Sequence, residues 1–306
     1  MTNILNGAQF ADLKLLNRIF DKAAELEEAD KTYDMPKLLA GRVVATVFYE
    51  TSTRTRLSFE SGALKLGAGV ISISDPKTSS ASKGESLEDA IRVISGYADV
   101  IVLRHPENGA AQRAAAVSSV PIINAGDGYN EHPTQALYDL YTMKKELGKI
   151  DGLKIAFLAD FRFQRNIHSL APIFSLFQNL QLYLIAPKEL RLPEEYKKQL
   201  TDGGVRFKEL DTVDEVLSEI DVLYVTRVFK ERFSDPEEYE RLKKSFFVDE
   251  STLAKMKKKS AILHVMPRIF EVDPAVDKDP RAAYFRQAKN GLYIRAALLL
   301  YALGMM

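Results

Sequence analysis

The chain contains no cysteine, and its 42 Lys and Arg residues balance its 42 Asp and Glu residues. Without cysteine there are no disulfides, thiolate nucleophiles or thiolate metal ligands. A net charge of zero gives no reason to expect a nucleic acid or a membrane surface as a partner. The longest apolar runs fall far short of the roughly 20 residues that span a bilayer. The N-terminus, MTNILNGAQFADLKLL, lacks the basic and apolar segments of a signal peptide. We therefore expect a cytoplasmic protein.

What the chain does have is a regular alternation of short apolar runs and amphipathic stretches. Near-continuous apolar strands separated by helices are typical of parallel sheets covered by helices on both faces. The alternation occurs twice, and 306 residues exceed the usual single-domain size of about 100–200. The sequence predicts an α/β protein of two domains, each a parallel sheet covered by helices, with an active-site cleft between them. The predicted strands are 42–49, 69–74, 99–104, 120–125, 154–160, 181–187, 205–210, 221–227 and 260–266.

Helical periodicity characterises the segments between the strands. The stretch 75–85, rich in Ser, Lys and Gly, is predicted to be an open loop. The helix at 133–148 is a natural bridge between domains, and the last helix is expected to pack back on the first domain. The predicted domains are 1–132 together with 287–306, and 133–286. The predicted helices are 8–29, 53–66, 85–97, 109–117, 133–148, 166–178, 193–202, 212–219, 235–246, 251–257 and 281–304.

The stretch ETSTRTRLSFE, at 50–60, combines hydroxyl groups and arginines where the first strand ends and a helix begins. Ligands of parallel α/β sheets bind beyond the carboxyl ends of strands, where helix N-termini direct free N–H groups. Ser52 or Thr53 can cap the helix, and Arg54 can bind a phosphate in a bidentate way. Taken alone, the stretch favours a simpler explanation, a capped helix whose arginines face solvent.

Polar side chains follow several other predicted strands, and they favour the ligand-binding interpretation over the simple capped helix. Together they indicate one cleft lined by arginine, which suits substrates that carry several negative charges. Among the histidines, His132 is the choice for chemistry, whereas His105 is expected to fix its loop and His168 to orient Arg165. His264 is expected to be buried and hydrogen-bonded. The residues at these strand ends are Arg104, His105, His132, Gln135, Arg165, His168, Arg227, Pro267 and Arg268.

These residues lie in stretches that match a known family in order and spacing over nearly the whole chain. The stretches are FYETSTRTRLSFE, SKGES, LRHPENGAA, INAGDGYNEHPTQALYDLYT, RNIHSL, LYVTRVFKERF and AYFRQAKNGLYIRAALL. The sequence resembles the aspartate carbamoyltransferase catalytic chains of the aspartate/ornithine carbamoyltransferase family. The resemblance implies transfer of the carbamoyl group from carbamoyl phosphate to the amine of L-aspartate, a step of pyrimidine biosynthesis. No metal or organic cofactor is expected.

The resemblance also implies a role for each matching residue. Catalysis would fall to Thr55, Arg104, His132 and Lys83. Aspartate would be bound by Lys83, Arg165 and Arg227. Glu50 would pair with Arg165 and Arg232 when the domains close. Carbamoyl phosphate would be bound in the first domain by Ser52, Thr53, Arg54, Thr55, Arg104, His132 and Gln135, with the backbone near Met266 and Pro267.

The loop that carries Ser80 and Lys83 reaches, in this family, into the active site of a neighbouring subunit. The resemblance therefore implies a homotrimer with shared sites, either alone or as two trimers joined by a regulatory chain. Without the resemblance, a solvated surface loop is the simpler interpretation.

The chain departs from the family at several positions. Phe229 replaces a usual Gln and cannot form its hydrogen bonds, and Val265 and Met266 replace the Pro-Leu of a tight turn. Glu131 stands where Gln is common. Ala159 and Gln164 replace glycines, and Phe163 replaces Tyr. Weaker aspartate affinity or a shifted amino-acid substrate is the hypothesis that follows, and Phe229→Gln should then lower the aspartate KM.

Three alternatives to aspartate carbamoylation remain at this point. An ornithine enzyme would carry a Cys-containing turn and a Ser-Met-Gly loop, both absent here, and Arg227 would repel ornithine. A non-catalytic paralog that binds carbamoyl phosphate would explain the changes at 229 and 265–266, but the other matching residues are intact. A nucleotide-dependent oxidoreductase lacks its G-x-G-x-x-G fingerprint.

Overall fold

The computed structural model describes residues 1–75, 77, 79–162, 164–228 and 235–306. Within them the strands form two parallel sheets, one of four strands and one of five, flanked by helices. The predicted fold class is therefore confirmed. The strands are β1 Val43–Phe48, β2 Gly69–Ile73, β3 Val100–His105, β4 Ile122–Asp127, β5 Lys154–Leu158, β6 Gln181–Ile185, β7 Arg206–Leu210, β8 Val222–Val225 and β9 Ala261–His264.

The helices follow the strands in the order expected of α/β units. None of the helices in the described part of the chain is both long and apolar enough to cross a membrane. The helices are α1 Leu13–Lys31, α2 Thr53–Lys65, α3 Leu87–Ser95, α4 Ala110–Val117, α5 Pro133–Leu147, α6 Arg165–Phe174, α7 Glu194–Asp202, α8 Pro236–Lys243, α9 Glu250–Lys255 and α10 Tyr284–Ala302.

The chain divides into two compact units. Unit 1 comprises Met1–Tyr138, His168–Leu170 and Lys289–Met306, and unit 2 comprises Asp139–Ile167 and Ala171–Ala288. Unit 1 contains the four-stranded sheet, in the order β2-β1-β3-β4, and unit 2 the five-stranded sheet, in the order β7-β6-β5-β8-β9.

The core of unit 1 explains why its two inner strands, β1 and β3, are largely apolar. One face of the sheet packs Val47, Ile101 and Leu103 against Ile91 of α3 and Ala114 of α4, all of them buried. A parallel sheet covered on both faces has no solvent side, so an alternating pattern is not required.

The last helix supplies buried polar partners to unit 1. The Arg295 guanidinium stacks on two rings, 5.4 Å from the centroid of Phe59 and 4.9 Å from that of Tyr138. Its Nη1 donates to Ser58 Oγ at 2.6 Å, and Tyr293 Oη donates to Asp30 Oδ2 at 3.0 Å. Arg295 is 2% exposed, so the part of α10 that belongs to unit 1, from Lys289 onward, contributes to the interior of that unit.

Two helix predictions and one loop prediction need correction. The helix predicted at 8–29 is a 3-10 turn, Gly7–Phe10, followed by α1, because Asp12 caps α1 by accepting from Leu15 N at 2.8 Å. The helix predicted at 212–219 is only a 3-10 turn, Val213–Glu215, in which the Thr212 side chain accepts from Asp214 N. The loop predicted at 75–85 contains another 3-10 turn, Ser80–Lys83.

Candidate active site

The phosphate-side residues lie at the carboxyl ends of neighbouring strands in unit 1. β1 and β3 are hydrogen-bonded in register, with Phe48 opposite Arg104, and Tyr49 N donates to Arg104 O at 2.8 Å. The chain beyond Phe48 runs directly into α2, which starts at Thr53. The hydroxyl-rich segment and Arg104 therefore meet at one edge of the sheet, where such folds bind ligands.

The first turn of α2 directs its N–H groups toward that edge. Ser52 occupies the N-cap position with extended backbone, but its side chain makes no capping hydrogen bond. Ser52 thus stands at the predicted N-cap position, but the side-chain cap expected there is not formed, and the Ser52 hydroxyl is not committed to the helix end. Thr53 and Arg54 are exposed and Thr55 is buried. Such an N-terminus suits an anion, because its dipole and N–H groups favour negative charge.

Arg104 is held from two sides. Its Nη2 lies 2.9 Å from Glu50 Oε2, and its Nη1 donates to Ala125 O at 3.3 Å. This ion pair was not among the predictions, which paired Glu50 with Arg165 and Arg232. The pairing with Arg165 stays a prediction, and Arg232 lies outside the described residues.

His132 and Gln135 follow β4 and are both buried, at 5% and 6% exposure. The backbone N–H of His132 donates to Ser169 Oγ at 2.8 Å, and Tyr138 Oη donates to Gln135 Oε1 at 2.5 Å. At the start of α5, the backbone of His132 is therefore held by Ser169 of α6, and the side chain of Gln135 by Tyr138 of α5.

Glu131, one of the departures from the family, joins this cluster. Its carboxylate accepts from the Ser169 hydroxyl and from Gly7 N at 3.2 Å. Burial raises the pKa of Glu131 to about 7, opposed by those two hydrogen bonds and assisted by the charge of Asp127. Gly7 is required at its position, because a Cβ there would lie 2.0 Å from Ser169 O.

The two arginines predicted to bind aspartate lie at adjacent strand ends in unit 2. β5 pairs with β8, and Thr226 N donates to Leu158 O at 3.0 Å. Arg165 begins α6 after β5, and Arg227 follows β8. Gln164 Nε2 donates to Arg227 O at 3.4 Å. Gln164, which replaces a glycine usual in the family, therefore connects the segment after β5 to the segment after β8. Two guanidinium groups at one sheet edge suit a dicarboxylate.

The turn after β9 carries Met266 and Pro267. Their peptide bond is cis, and Met266 has a φ of 52°. Met266 N donates to His264 Nδ1 at 2.8 Å. His264 is buried, as predicted. Arg268 was predicted to line the cleft, but it forms an ion pair with Asp277, with Nη2 donating to Oδ2 at 2.7 Å. This pair ties Arg268 to the segment after the turn, and its place in a cleft stays a prediction.

The remaining predicted residues have simple positions. His105 Nδ1 accepts from Glu107 N at 3.1 Å, which agrees with a loop-fixing role, and burial lowers its pKa. His168 Nδ1 lies 2.9 Å from Tyr129 O, and because a carbonyl only accepts, this nitrogen carries the proton. His168 thus holds the 129–130 backbone, which differs from the predicted role of orienting Arg165. Ser80 and Lys83 are exposed.

Some predicted positions lie outside the described residues, namely Phe163, Phe229 and Arg232. The sequence interpretation missed others, above all Ser169 and Asp139. Asp139 is completely buried on α5 between Leu137 and Leu140, which are buried as well. A carboxylate inside an otherwise apolar stretch was the available signal, since a buried charge requires dedicated partners.

Comparison with known proteins agrees with this geometry. Residues 4–145 match the family model described as aspartate/ornithine carbamoyltransferase, carbamoyl-P binding domain, and residues 151–302 match the Asp/Orn binding domain of the same family. These matches cover both sheets and the strand ends described above. The chain belongs to the aspartate/ornithine carbamoyltransferase family.

Its relatives are named more specifically. The chain is 52% identical over 281 residues to the aspartate carbamoyltransferase catalytic subunit of Methanocaldococcus jannaschii, covering 92% of this chain and 91% of the relative. A crystal form of that catalytic subunit superposes with a TM-score of 0.92 at 48% identity, covering 99% and 98% of the two chains. Aspartate transcarbamoylase from Trypanosoma cruzi, in complex with carbamoyl phosphate and aspartate, has a TM-score of 0.91 at 35% identity, covering 97% and 95%.

Proposed function

We propose that the chain is an aspartate carbamoyltransferase. The aspartate amine attacks the carbamoyl carbon of carbamoyl phosphate, a C–N bond forms, and the bond from that carbon to the phosphate oxygen breaks. The amine proton leaves with the phosphate, and the products are N-carbamoyl-L-aspartate and phosphate, as in pyrimidine biosynthesis. The observation that carries the proposal is the convergence of Ser52–Thr55, Arg104 and His132 at one sheet edge in a chain that matches both family domains.

The chemistry follows from the charges of the site. Ser52, Thr53 and Arg54 hold the phosphate, and Thr55 with Arg104 and His132 donates to the carbamoyl oxygen as negative charge develops on it. Such preorganised donors typically contribute about 3–4 kcal/mol each to lowering the barrier. Gln135 and the Met266–Pro267 backbone receive the carbamoyl amide, whereas Lys83, Arg165 and Arg227 bind aspartate.

Residues 1–132 with 287–306 are proposed as the carbamoyl phosphate domain, and 133–286 as the aspartate domain. The active-site cleft between them and the cytoplasmic location stay predictions.

We infer a homotrimer in which the Ser80–Lys83 turn serves the site of a neighbouring subunit. Several large apolar side chains of unit 1 support an assembly, because they are exposed close together in the chain on α2, β2 and α3: Leu57, Leu64, Ile71 and Val93, with Tyr97 just beyond α3. Contact with a neighbouring subunit would remove this apolar surface from water. A regulatory chain that joins two trimers is the larger assembly consistent with the resemblance.

The test is a direct assay of the purified chain. Carbamoyl phosphate is supplied with aspartate or ornithine, and phosphate release and the carbamoylated amino acid are measured. We expect carbamoyl-aspartate only, and we expect Arg54→Ala to abolish it. Product from ornithine alone, or binding of carbamoyl phosphate without turnover, would overturn the proposal in favour of an ornithine enzyme or a non-catalytic paralog.

A further inference from the structure

A buried hydrogen-bond network in unit 2 joins two segments that the proposed function assigns to substrates. At its centre is Asp139 on α5, whose side chain has no solvent exposure. Tyr224 Oη donates to its Oδ2 at 2.5 Å, and Gln287 Nε2 donates to its Oδ1 at 2.7 Å. The two carboxylate oxygens thus hold one residue from β8 and one from α10.

The first branch, here called the arginine arm, runs from Asp139 through Tyr224 to Asn166. Asn166 Nδ2 donates to Tyr224 Oη at 2.7 Å. Asn166 directly follows Arg165 in the first turn of α6. The Tyr224 ring packs 5.0 Å from the Phe157 ring, centroid to centroid, which fixes the position of the hydroxyl. The arginine arm therefore fixes the backbone from which Arg165 projects.

The second branch, here called the turn arm, runs from Asp139 through Gln287 to His264. Gln287 Oε1 accepts from His264 N at 2.9 Å. His264 Nδ1 in turn accepts from Met266 N at 2.8 Å. Met266 is the first residue of the cis Met266–Pro267 bond. The turn arm therefore holds the backbone N–H groups of His264 and Met266, and with them the start of the turn that follows β9.

Packing alone does not require a carboxylate at position 139. An ion or polar group without water is costly to bury, and a well-packed apolar side chain of similar volume is often as stable or more so. The carboxylate instead orients its neighbours, because each of its oxygens accepts a hydrogen bond from a different element, Oδ2 from Tyr224 of β8 and Oδ1 from Gln287 of α10. Reacting groups must be held closely, because a misplacement of about 1 Å can cost about a hundredfold in rate.

We propose that Asp139 is a positioning residue. Its one buried carboxylate holds in place both the backbone from which Arg165 projects and the backbone of the Met266–Pro267 turn. This inference rests on the proposed function, which assigns aspartate binding to Arg165 and the carbamoyl amide to the turn. Asp139 touches neither substrate. It couples the two halves of recognition within one unit.

The hydrogen bonds of each arm can be removed separately by a substitution that nearly preserves the shape of the side chain. Tyr224→Phe removes only the hydroxyl of the arginine arm. Gln287→Met removes the two hydrogen bonds that the Gln287 side chain forms in the turn arm, while keeping an unbranched side chain. Asp139→Asn affects both arms. The matched control is Tyr293→Phe, which removes another buried Tyr hydroxyl that donates to an aspartate, Asp30, at 3.0 Å.

The arms predict different kinetics. Hydrogen bonds to charged groups are worth enough for roughly tenfold to a hundredfold effects. We expect Tyr224→Phe to raise the aspartate KM about tenfold and to leave carbamoyl phosphate binding, measured by calorimetry, within about twofold. Gln287→Met should lower kcat and weaken carbamoyl phosphate binding, and Asp139→Asn should do both. Tyr293→Phe should lower the melting temperature without changing either KM.

The outcomes separate this inference from the proposed function. If the wild-type chain makes no carbamoyl-aspartate, the proposed function fails before any variant is measured. If the wild type is active and Tyr224→Phe has the same KM values as Tyr293→Phe, the positioning role of Asp139 is overturned. Equal loss of both affinities in Tyr224→Phe and Gln287→Met would overturn it as well, because that pattern indicates general loosening. Should Asp139→Asn fail to fold, the two single-arm variants still decide.

Discussion

Arg104 and Glu50 form an ion pair in unit 1, with 2.9 Å between Nη2 and Oε2. The guanidinium proposed to meet carbamoyl phosphate is thus already partly neutralised by a carboxylate of the same strand-end cluster. The Glu50 side chain is 35% exposed and that of Arg104 11%, so water screens the pair only in part. An anionic substrate must compete with Glu50 for Arg104.

Replacing Glu50 by Gln should therefore strengthen the binding of carbamoyl phosphate alone. We expect Kd to fall up to about fivefold, since partly exposed pairs are worth up to about 1 kcal/mol. Isothermal titration calorimetry without aspartate measures this. Glu107→Gln is the matched control, because Glu107 forms an exposed ion pair with Arg113 at 2.9 Å. An unchanged or higher Kd in Glu50→Gln would contradict the competition.

Substitutions at Ser52 and Asp12 should distinguish an effect on carbamoyl phosphate binding from an effect on folding stability. Both stand at helix N-caps, but only Asp12 accepts a capping hydrogen bond, from Leu15 N. Ser52→Ala should leave the free energy of unfolding within about 0.5 kcal/mol and weaken carbamoyl phosphate binding. Asp12→Ala should cost about 1 kcal/mol and leave binding unchanged. Urea unfolding and calorimetry on both variants test this, and a stability loss in Ser52→Ala with normal binding would count against a phosphate role.

The raised pKa of Glu131 makes stability depend on pH. Its pKa rises from the ordinary value of 4.5 to about 7 on folding, because burial disfavours the charged form. The folded state therefore holds the proton more tightly, so this stabilisation is complete below pH 4.5 and is lost as pH rises through about 7. Glu131→Gln, which cannot ionise, should match the wild type near pH 5. At pH 8 it should be more stable, by at most about 3 kcal/mol.

Urea unfolding between pH 5 and 8 measures the difference. Asp249→Asn is the control, since hydrogen bonds from Ser251 and Thr252 lower the pKa of Asp249. Its carboxylate stays charged throughout, so its stability difference from the wild type should be constant over this range. A difference for Glu131→Gln that is equally flat would show that position 131 does not titrate there.

The proposed sharing of sites predicts recovery of activity in mixed trimers. Lys83→Ala and Arg54→Ala chains should each be nearly inactive alone. After mixing under conditions that exchange subunits, some sites would combine an intact Arg54 with an intact Lys83 from a neighbour. Activity should return to a measurable fraction of the wild type. A mixture of Arg54→Ala with Thr55→Ala chains should stay inactive, because Arg54 and Thr55 both serve the site of their own chain and every site would carry one of the two changes. No recovery in the first mixture would contradict site sharing.

The strands were predictable because a parallel sheet covered on both faces needs long apolar runs, and the chain has few others. The segment 212–219 shows where this logic ends. Its apolar residues Val216 and Leu217 are buried, as the helical spacing indicated. The Thr212 side chain, however, accepts from Asp214 N, and this local bond favours a tight turn over a helix.

The candidate site was predictable where its residues cluster in the sequence, as in Ser52–Thr55. It was not predictable where partners come from distant parts of the chain. Asp139 lies 85 residues from Tyr224 and 148 from Gln287. Spacing within a helix carries no information about such partners.

The helix α10 gives unit 1 an unusual order of assembly. Tyr293 and Arg295 complete contacts with α1 and α2, yet a ribosome adds them only after all residues of unit 2. The first segment of unit 1, Met1–Tyr138, therefore lacks these contacts until unit 2 has been synthesised. A premature stop shortly before Lys289 would therefore leave unit 1 without its last segment. The proposed phosphate site would then be inactive, although each of its own residues had already been translated.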